Sequence, residues 1–223
     1  MGESRRFYTR RALYGVGIND VSYAVTKKEF VDGKQKQVWK CPYYSCWQQM
    51  LRRCYSEEYL TKYPTYIGVT VCDEWLTFSN FRAWMETQDW EGKELDKDLL
   101  GTGKHYSPEN CIFITQELNK FLNTRRKRGK SLGAFLSKRK TRYEVMICDF
   151  DGISHFVGSS TDELEAHFIW LKYKIITMKK VIELQSDVRI MKRLTEILND
   201  LEYCLQNRIE VCSILRPLVD KGD

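Results

Sequence analysis

Apolar residues recur along this chain in two rhythms, one of three and four residues and one of two. Over residues 42–55, Tyr43, Trp47, Met50, Leu51 and Cys54 follow the helical spacing, with Pro42 suited to the first turn. Upstream, "VSYAVTK" and "KQKQVWK" read as short strands around the Asp32-Gly33 hairpin signal. "TYIGVTVCDEWL" holds a short strand at 69–72, and "TFSNFRAWMETQ" predicts a helix capped by Thr77 or Ser79. Trp75, Phe78, Phe81, Trp84 and Trp90 read as core aromatics. The stretch 94–121, "ELDKDLLGTGKHYSPENCIFITQELNKF", predicts strand, loop, strand and a helix capped by Thr115, with Pro108 forcing extended geometry on Ser107. From Ser131 three strands are predicted at 133–137, 143–150 and 154–158, with turns at Lys140-Thr141 and Asp151-Gly152. A helix follows, opened by a Ser160/Glu163 capping box and presenting Leu164, Phe168, Leu171 and Ile175 on one face. Leu184, Val188, Met191, Leu194, Leu198, Leu201 and Leu205 predict a last helix within 184–215. That helix packs on its own protein, or forms a coiled-coil or homodimer contact. The fold class is therefore α+β.

The 223 residues, 43% hydrophobic, suffice for one large domain or two small ones. No apolar run approaches the ~20 residues of a membrane span, and "MGESRRFYTRR" lacks the apolar core of a secretory signal. Arg6 stands where a myristoylation site wants a small hydroxyl residue. A soluble, cytoplasmic protein is expected.

The formal net charge is +6, and its distribution says more than its size. Residues 120–142 hold ten Lys or Arg and no acidic residue. So one-sided a block is either a solvated linker, centred on 124–130, or a surface for a polyanion such as double-stranded DNA. Its cations include Arg125, Arg126, Lys127 and Arg128. The eight cysteines include no CxxC pair, so buried thiols are the expectation, with a structural Zn²⁺ site from Cys41, Cys54, Cys72 and Cys111 as the alternative.

Hydrolysis of a phosphodiester needs a cation at the scissile phosphate and a base for the attacking water. A strand-end carboxylate facing a helix residue is a compact way to hold one divalent ion, and Asp96 and Asn119 occupy those places. Oxygen ligands suit Mg²⁺, or Mn²⁺ in its stead. Asn110 lies between them in sequence, where its amide would hold the loop.

The pieces "LDKDLL", "YSPENCIFIT" and Asn119 resemble the ββα-metal (His-Me) finger of phage HNH endonucleases. The homing-type members add a wider pattern, matched here by Trp47, Met50-Leu51, Arg53-Cys54-Tyr55, "VCDEWL", Phe78, Asn80-Phe81 and Trp84-Met85. The resemblance spans about 40–123 and implies a one-metal DNA endonuclease domain over 1–123. A second resemblance covers about 131–174. Phe156, Gly158, Glu165, Ala166, His167 and Trp170 are similar to the tail of the APETALA/ERF-type DNA-binding domain. It implies a DNA-binding module over 131–183 whose sheet face enters a groove, with Lys138, Arg139, Lys140, Arg142 and Tyr143 as contacts. Residues 184–223 form a helical tail, a candidate for self-association or a protein partner.

The finger departs from its family at one place. Lys97 stands where the base histidine is expected, and an ammonium has no lone pair to accept a proton. Three readings stand: a desolvated Lys97 as the base, His105 from the loop as a substitute imidazole, or a finger that grips phosphate through Lys97 without cutting. Asp98 is a second metal ligand or a solvated carboxylate. His155 and His167 fit the framework of the second module. The functional expectation is an HNH-like DNA endonuclease, with a non-catalytic DNA-binding or partner-binding factor as the alternative.

Overall fold

The computed structural model describes residues 12–123, 131–139 and 141–218. The basic residues Arg125, Arg126, Lys127, Arg128 and Lys140 lie outside the described residues. Small sheets alternate with helices, which makes the protein mixed α+β. No helix among the described residues is long and apolar enough to cross a membrane. The chain divides into two units, Met1–Glu91 with Gly101–Phe113, and Gly92–Leu100 with Ile114–Asp223.

In the first unit β1 (Thr26–Val31) and β2 (Lys34–Lys40) form an antiparallel ribbon. The first strand lies downstream of the expected "VSYAVTK". Asp32 and Gly33 both take positive φ, 53° and 72°, which makes a two-residue turn and pins Val31 opposite Lys34. The turn, not hydrophobicity, therefore chooses the strand. Helix α1 (Pro42–Tyr55) has the bounds its periodicity predicts and buries Trp47, Met50, Leu51 and Cys54. Ser56 caps α2 (Glu57–Lys62), its side chain accepting from the Tyr59 N–H. β3 (Thr70–Val71) runs parallel to β5 (His105–Tyr106), and α3 (Phe78–Glu86) packs on α1. Thr77 sits at the N-terminus of α3 without a side-chain bond, while Ser79 binds Asp20 instead. Trp75, Phe78 and Phe81 are fully buried, Trp84 and Trp90 partly so. Trp47 Nε1 donates to the Trp75 carbonyl at 2.6 Å, which satisfies the one polar atom of a buried indole.

In the second unit β4 (Glu94–Asp96) packs against α4 (Gln116–Leu122), which Thr115 caps by accepting from the Leu118 N–H, as expected. Ile114, the last residue of β6 (Ile112–Ile114), belongs to this unit and leads into that cap. β7 (Ala134–Leu136), β8 (Tyr143–Cys148) and β9 (Ser154–Ser160) form an antiparallel sheet in sequence order. Ala134, Val145 and Ile147 face α5 (Glu163–Glu183). The cap of α5 is Asp162, not the predicted Ser160/Glu163 pair. Glu163 instead accepts from the Ser131 N–H, and Ser160 from the Asp162 N–H. The helix starts two residues later than the box would place it, and Leu164 is exposed. His167 is fully buried between two backbone partners. Its Nε2 accepts from the Val211 N–H at 3.1 Å, so Nδ1 carries the proton and donates to Leu132 O at 2.9 Å. Helix α6 (Val188–Gln206) lays Ile190, Leu194, Ile197, Leu201 and Cys204 inward and packs on α5. Leu194 and Leu201 of the predicted stripe are used there; Leu184 and Val188 stay exposed.

Candidate metal centre and nucleic-acid interface

Strand β4 ends in a turn built around one carboxylate. Asp96 Oδ1 accepts from the backbone N–H groups of Asp98 at 3.0 Å and Leu99 at 2.7 Å. An aspartate that binds the backbone two and three residues on stops a strand and fixes its own rotamer. Asp96 is 8% exposed, and burial pushes its pKa up to about 6, against the pull of those two backbone bonds. No hydrogen bond to Oδ2 is found among the described residues.

On α4, Asn119 Nδ2 donates to Glu94 Oε2 at 2.6 Å, and Asn119 Oδ1 accepts from Asn123. Glu94 and Asp96 are two residues apart on a strand, so they share a face. Glu94 thus meets Asn119 at the β4–α4 contact, and Asp96 follows two residues on along the same strand face. Such oxygen donors suit a hard cation, and Mg²⁺ keeps several waters beside one or two protein ligands. No three His, Cys, Asp or Glu side chains gather as a metal-holding group among the described residues. A cation here would therefore take few protein ligands, with Asp96 Oδ2 and Glu94 as the candidate oxygens, and not a closed cage.

Lys97 is 6% exposed, and its ammonium donates to both carboxylate oxygens of Asp98 at 3.1 Å. Asp98 is thus paired with a cation while its side chain stays 34% exposed. Leu99, whose N–H binds Asp96, is itself held from the tail: Arg193 Nε of α6 donates to Leu99 O at 3.0 Å, and its Nη2 to Leu215 O at 3.2 Å. The helical tail is thus part of the support for the Asp96 turn.

His105 and Asn110 belong to the first unit. His105 Nδ1 is 2.7 Å from Thr70 Oγ1, across the β3–β5 pair. Asn110 donates its backbone N–H to Ser107 O, and its side chain lies against Gly101. A Cβ at Gly101 would come within 2.8 Å of Asn110 Cβ, so a larger residue here would force the loop or the asparagine to shift.

Cys41, Cys54, Cys72 and Cys111 are free thiols and, as the absence of any metal-holding group among the described residues shows, do not converge. Cys41, Cys54 and Cys111 are buried as small apolar side chains, in line with the thiol expectation. Burial likewise pushes the nearby Cys46 thiol up to about 12.

Lys138, Arg139 and Arg142 are exposed at the turn between β7 and β8. Tyr143 is in phase with Val145 and Ile147, so it faces α5, where Glu163 bonds its phenol. The opposite face of the sheet carries Phe135, Glu144, Met146 and Phe156, which the register sets side by side. That outer face is apolar and acidic, so the cations of this module stand at its edge.

Compared with protein-family models, curated proteins and solved structures, the chain has no significant match. Two supporting residues escaped the sequence reading. Glu94 had a signal, a Glu-x-Asp alternation on one strand face. Arg193 had none, because its partners lie far away in sequence.

Proposed function

We propose that this protein is a metal-dependent DNA-binding nuclease of the HNH-like, ββα-metal type. The observation that carries the reading is the contact of β4 with α4, where Glu94 accepts from Asn119 two residues before the Asp96 turn. A divalent cation there would steady a scissile phosphate and its leaving oxygen. The chain's own residues supply the rest. Asp96 presents one oxygen, its rotamer fixed by the Asp98 and Leu99 N–H groups. Glu94 orients the Asn119 amide. Arg193 holds the turn in place. The cations Lys138, Arg139 and Arg142 supply sequence-blind phosphate contacts.

A second reading is a DNA-binding protein on the same scaffold that does not cut, favoured by the engagement of Lys97 with Asp98. Supercoiled plasmid with Mg²⁺ or Mn²⁺, alongside a gel-shift titration, separates the two. Nicking by the wild type that Asp96→Ala and Asn119→Ala abolish supports the nuclease. Retardation of DNA without nicking selects the second reading, and a chain that does neither defeats both.

A further inference from the structure

The first unit carries an element that neither the metal centre nor the basic stretch uses. The β1–β2 ribbon packs against little but itself: its residues are exposed except Thr26 and Lys40, and Phe30 is 78% exposed. An isolated two-stranded ribbon is marginal in water, so such a ribbon gains by engaging a partner. Five lysines, 27, 28, 34, 36 and 40, stand against Glu29 and Asp32, which fits a polyanion.

The register says what each face offers. Lys28 lies opposite Gln37 and Phe30 opposite Gln35, so Lys28, Gln35 and Gln37 share one face. Lys27 pairs with Trp39, Glu29 with Lys36 and Val31 with Lys34 on the other face. Several ribbon lysines are engaged: Lys36 binds Asp32, Lys40 binds Gln48, and Lys27 lies over the Trp39 ring. No contact to the side chains of Lys28, Gln35 or Gln37 is found among the described residues. One face of the ribbon thus offers an ammonium and two carboxamides with their hydrogen-bonding groups free.

Those are the groups that read base edges. A glutamine amide gives a donor and an acceptor that match the N7 and N6 of adenine, and a lysine donates to the O6 and N7 of guanine. Strands of this length extend about 20 Å and lie ~4.8 Å apart, which the ~12 Å major groove admits. At the foot of the ribbon, Lys40 continues into a polar recess of about 540 Å³ that Gln48, Arg52 and Arg53 help line, with Glu58 3.9 Å from the Arg52 guanidinium. A phosphate beside the groove would meet cations there. Strand addition by a second protein is opposed by the edge lysines and by the bulge at Lys27/Lys28.

We propose that the β1–β2 ribbon enters the DNA major groove and reads sequence there through Lys28, Gln35 and Gln37. This rests on the DNA-binding reading above and adds to it the element that selects a site.

The test uses the full chain. A binding site is selected from a randomised duplex pool with the wild type. The selected and a scrambled duplex are then titrated, at one fixed salt concentration, against wild type, Lys28→Ala and Gln35→Ala/Gln37→Ala. Each lost contact should lower the preference for the selected duplex by about tenfold, with affinity for the scrambled duplex within about twofold for the glutamine pair. Placing 7-deazaadenine, which lacks N7, in the selected site should weaken the wild type but not the double variant. Circular dichroism checks that these exposed substitutions leave the fold intact. Unchanged preference in all variants, or a wild type with no preference, overturns the ribbon as reader while leaving DNA binding in place. A ribbon substitution that alters sedimentation instead of DNA preference overturns it in favour of a protein contact. Failure of the wild type to bind any duplex removes the underlying DNA reading as well.

Discussion

Replacing Lys174 by methionine is expected to stabilise the protein, by an amount that depends on pH. Lys174 is 2% exposed on α5 and lines a cavity of about 520 Å³ together with Phe121, Leu132 and Trp170. Its ammonium donates to the Phe121 carbonyl at 2.8 Å and lies 3.2 Å from the centre of the Phe121 ring. These contacts do not replace its water shell. Burial draws its pKa from 10.5 down to about 7, with the Cys148 thiol a lesser, opposing influence. At about 1.36 kcal/mol per pH unit, holding the charge inside near pH 6 costs on the order of 5 kcal/mol. Methionine has nearly the same length, and losing the bond to Phe121 O offsets about 1–3 kcal/mol of the gain. The net expectation at pH 6 is a gain of roughly 2–4 kcal/mol.

The sign with pH follows from proton counting. Between pH 7 and 10.5 the unfolded chain holds the Lys174 proton and the folded chain does not, so folded stability rises with pH through this window. The variant lacks that rise, and the other lysines and tyrosines cancel between the two proteins. Urea unfolding of both at pH 6, 8 and 9.5 should show the advantage of Lys174→Met shrinking stepwise. A variant less stable than the wild type at pH 6, or a difference that stays flat across the series, would refute the account of Lys174 as a desolvated cation.

Two further outcomes follow from the proposed cation site and one from the Gly101 loop. At pH 7, millimolar Mg²⁺ or Mn²⁺ should raise the Tm. Asp96→Ala should abolish the effect, which fades below about pH 6 as Asp96 takes up its proton; thermal scans at pH 5 and 7 decide it. Arg193→Ala removes the donors to Leu99 and Leu215 without touching the carboxylates, so nicking should slow by about tenfold while gel-shift affinity stays unchanged. Equal loss of both would mean Arg193 acts only on the fold. Gly101→Ala drives a methyl into Asn110 and should cost about 1–3 kcal/mol in urea unfolding; a neutral effect would mean the loop adjusts freely.

What the sequence disclosed was local. Helix α1 and the Thr115 cap of α4 were readable because periodicity and capping act within one or two turns. The ribbon strand was misplaced because "TKKEFV" has no buried face to reveal it, and only the turn sets its register. The cap of α5 was misread for a related reason. Ser160, Asp162 and Glu163 all carry capping chemistry, and a long-range partner, the Ser131 N–H, takes Glu163 out of the competition. Asp96 and Asn119 were legible as residue types at suggestive spacing, whereas their supports, Glu94 and Arg193, depend on contacts made in space.

The same distinction bears on Lys97. Read along the chain, it is a missing histidine. In the fold it is a cation paired with Asp98, in a stretch that holds three carboxylates within five residues, Glu94, Asp96 and Asp98. Close like charges disfavour one another, and the Lys97–Asp98 pair removes one of the three. Glu94 and Asp96 are then left on one strand face, the former tied to Asn119, the latter with an oxygen to offer. Under the proposed function, a lysine here would balance charge around the cation and need not move a proton. On this argument Lys97→Met should weaken Mg²⁺ or Mn²⁺ specificity and lower stability near pH 7, because Asp98 is left unpaired, yet leave the shape of the pH–rate profile unchanged. A profile that loses its rise with pH in Lys97→Met would instead make Lys97 the base.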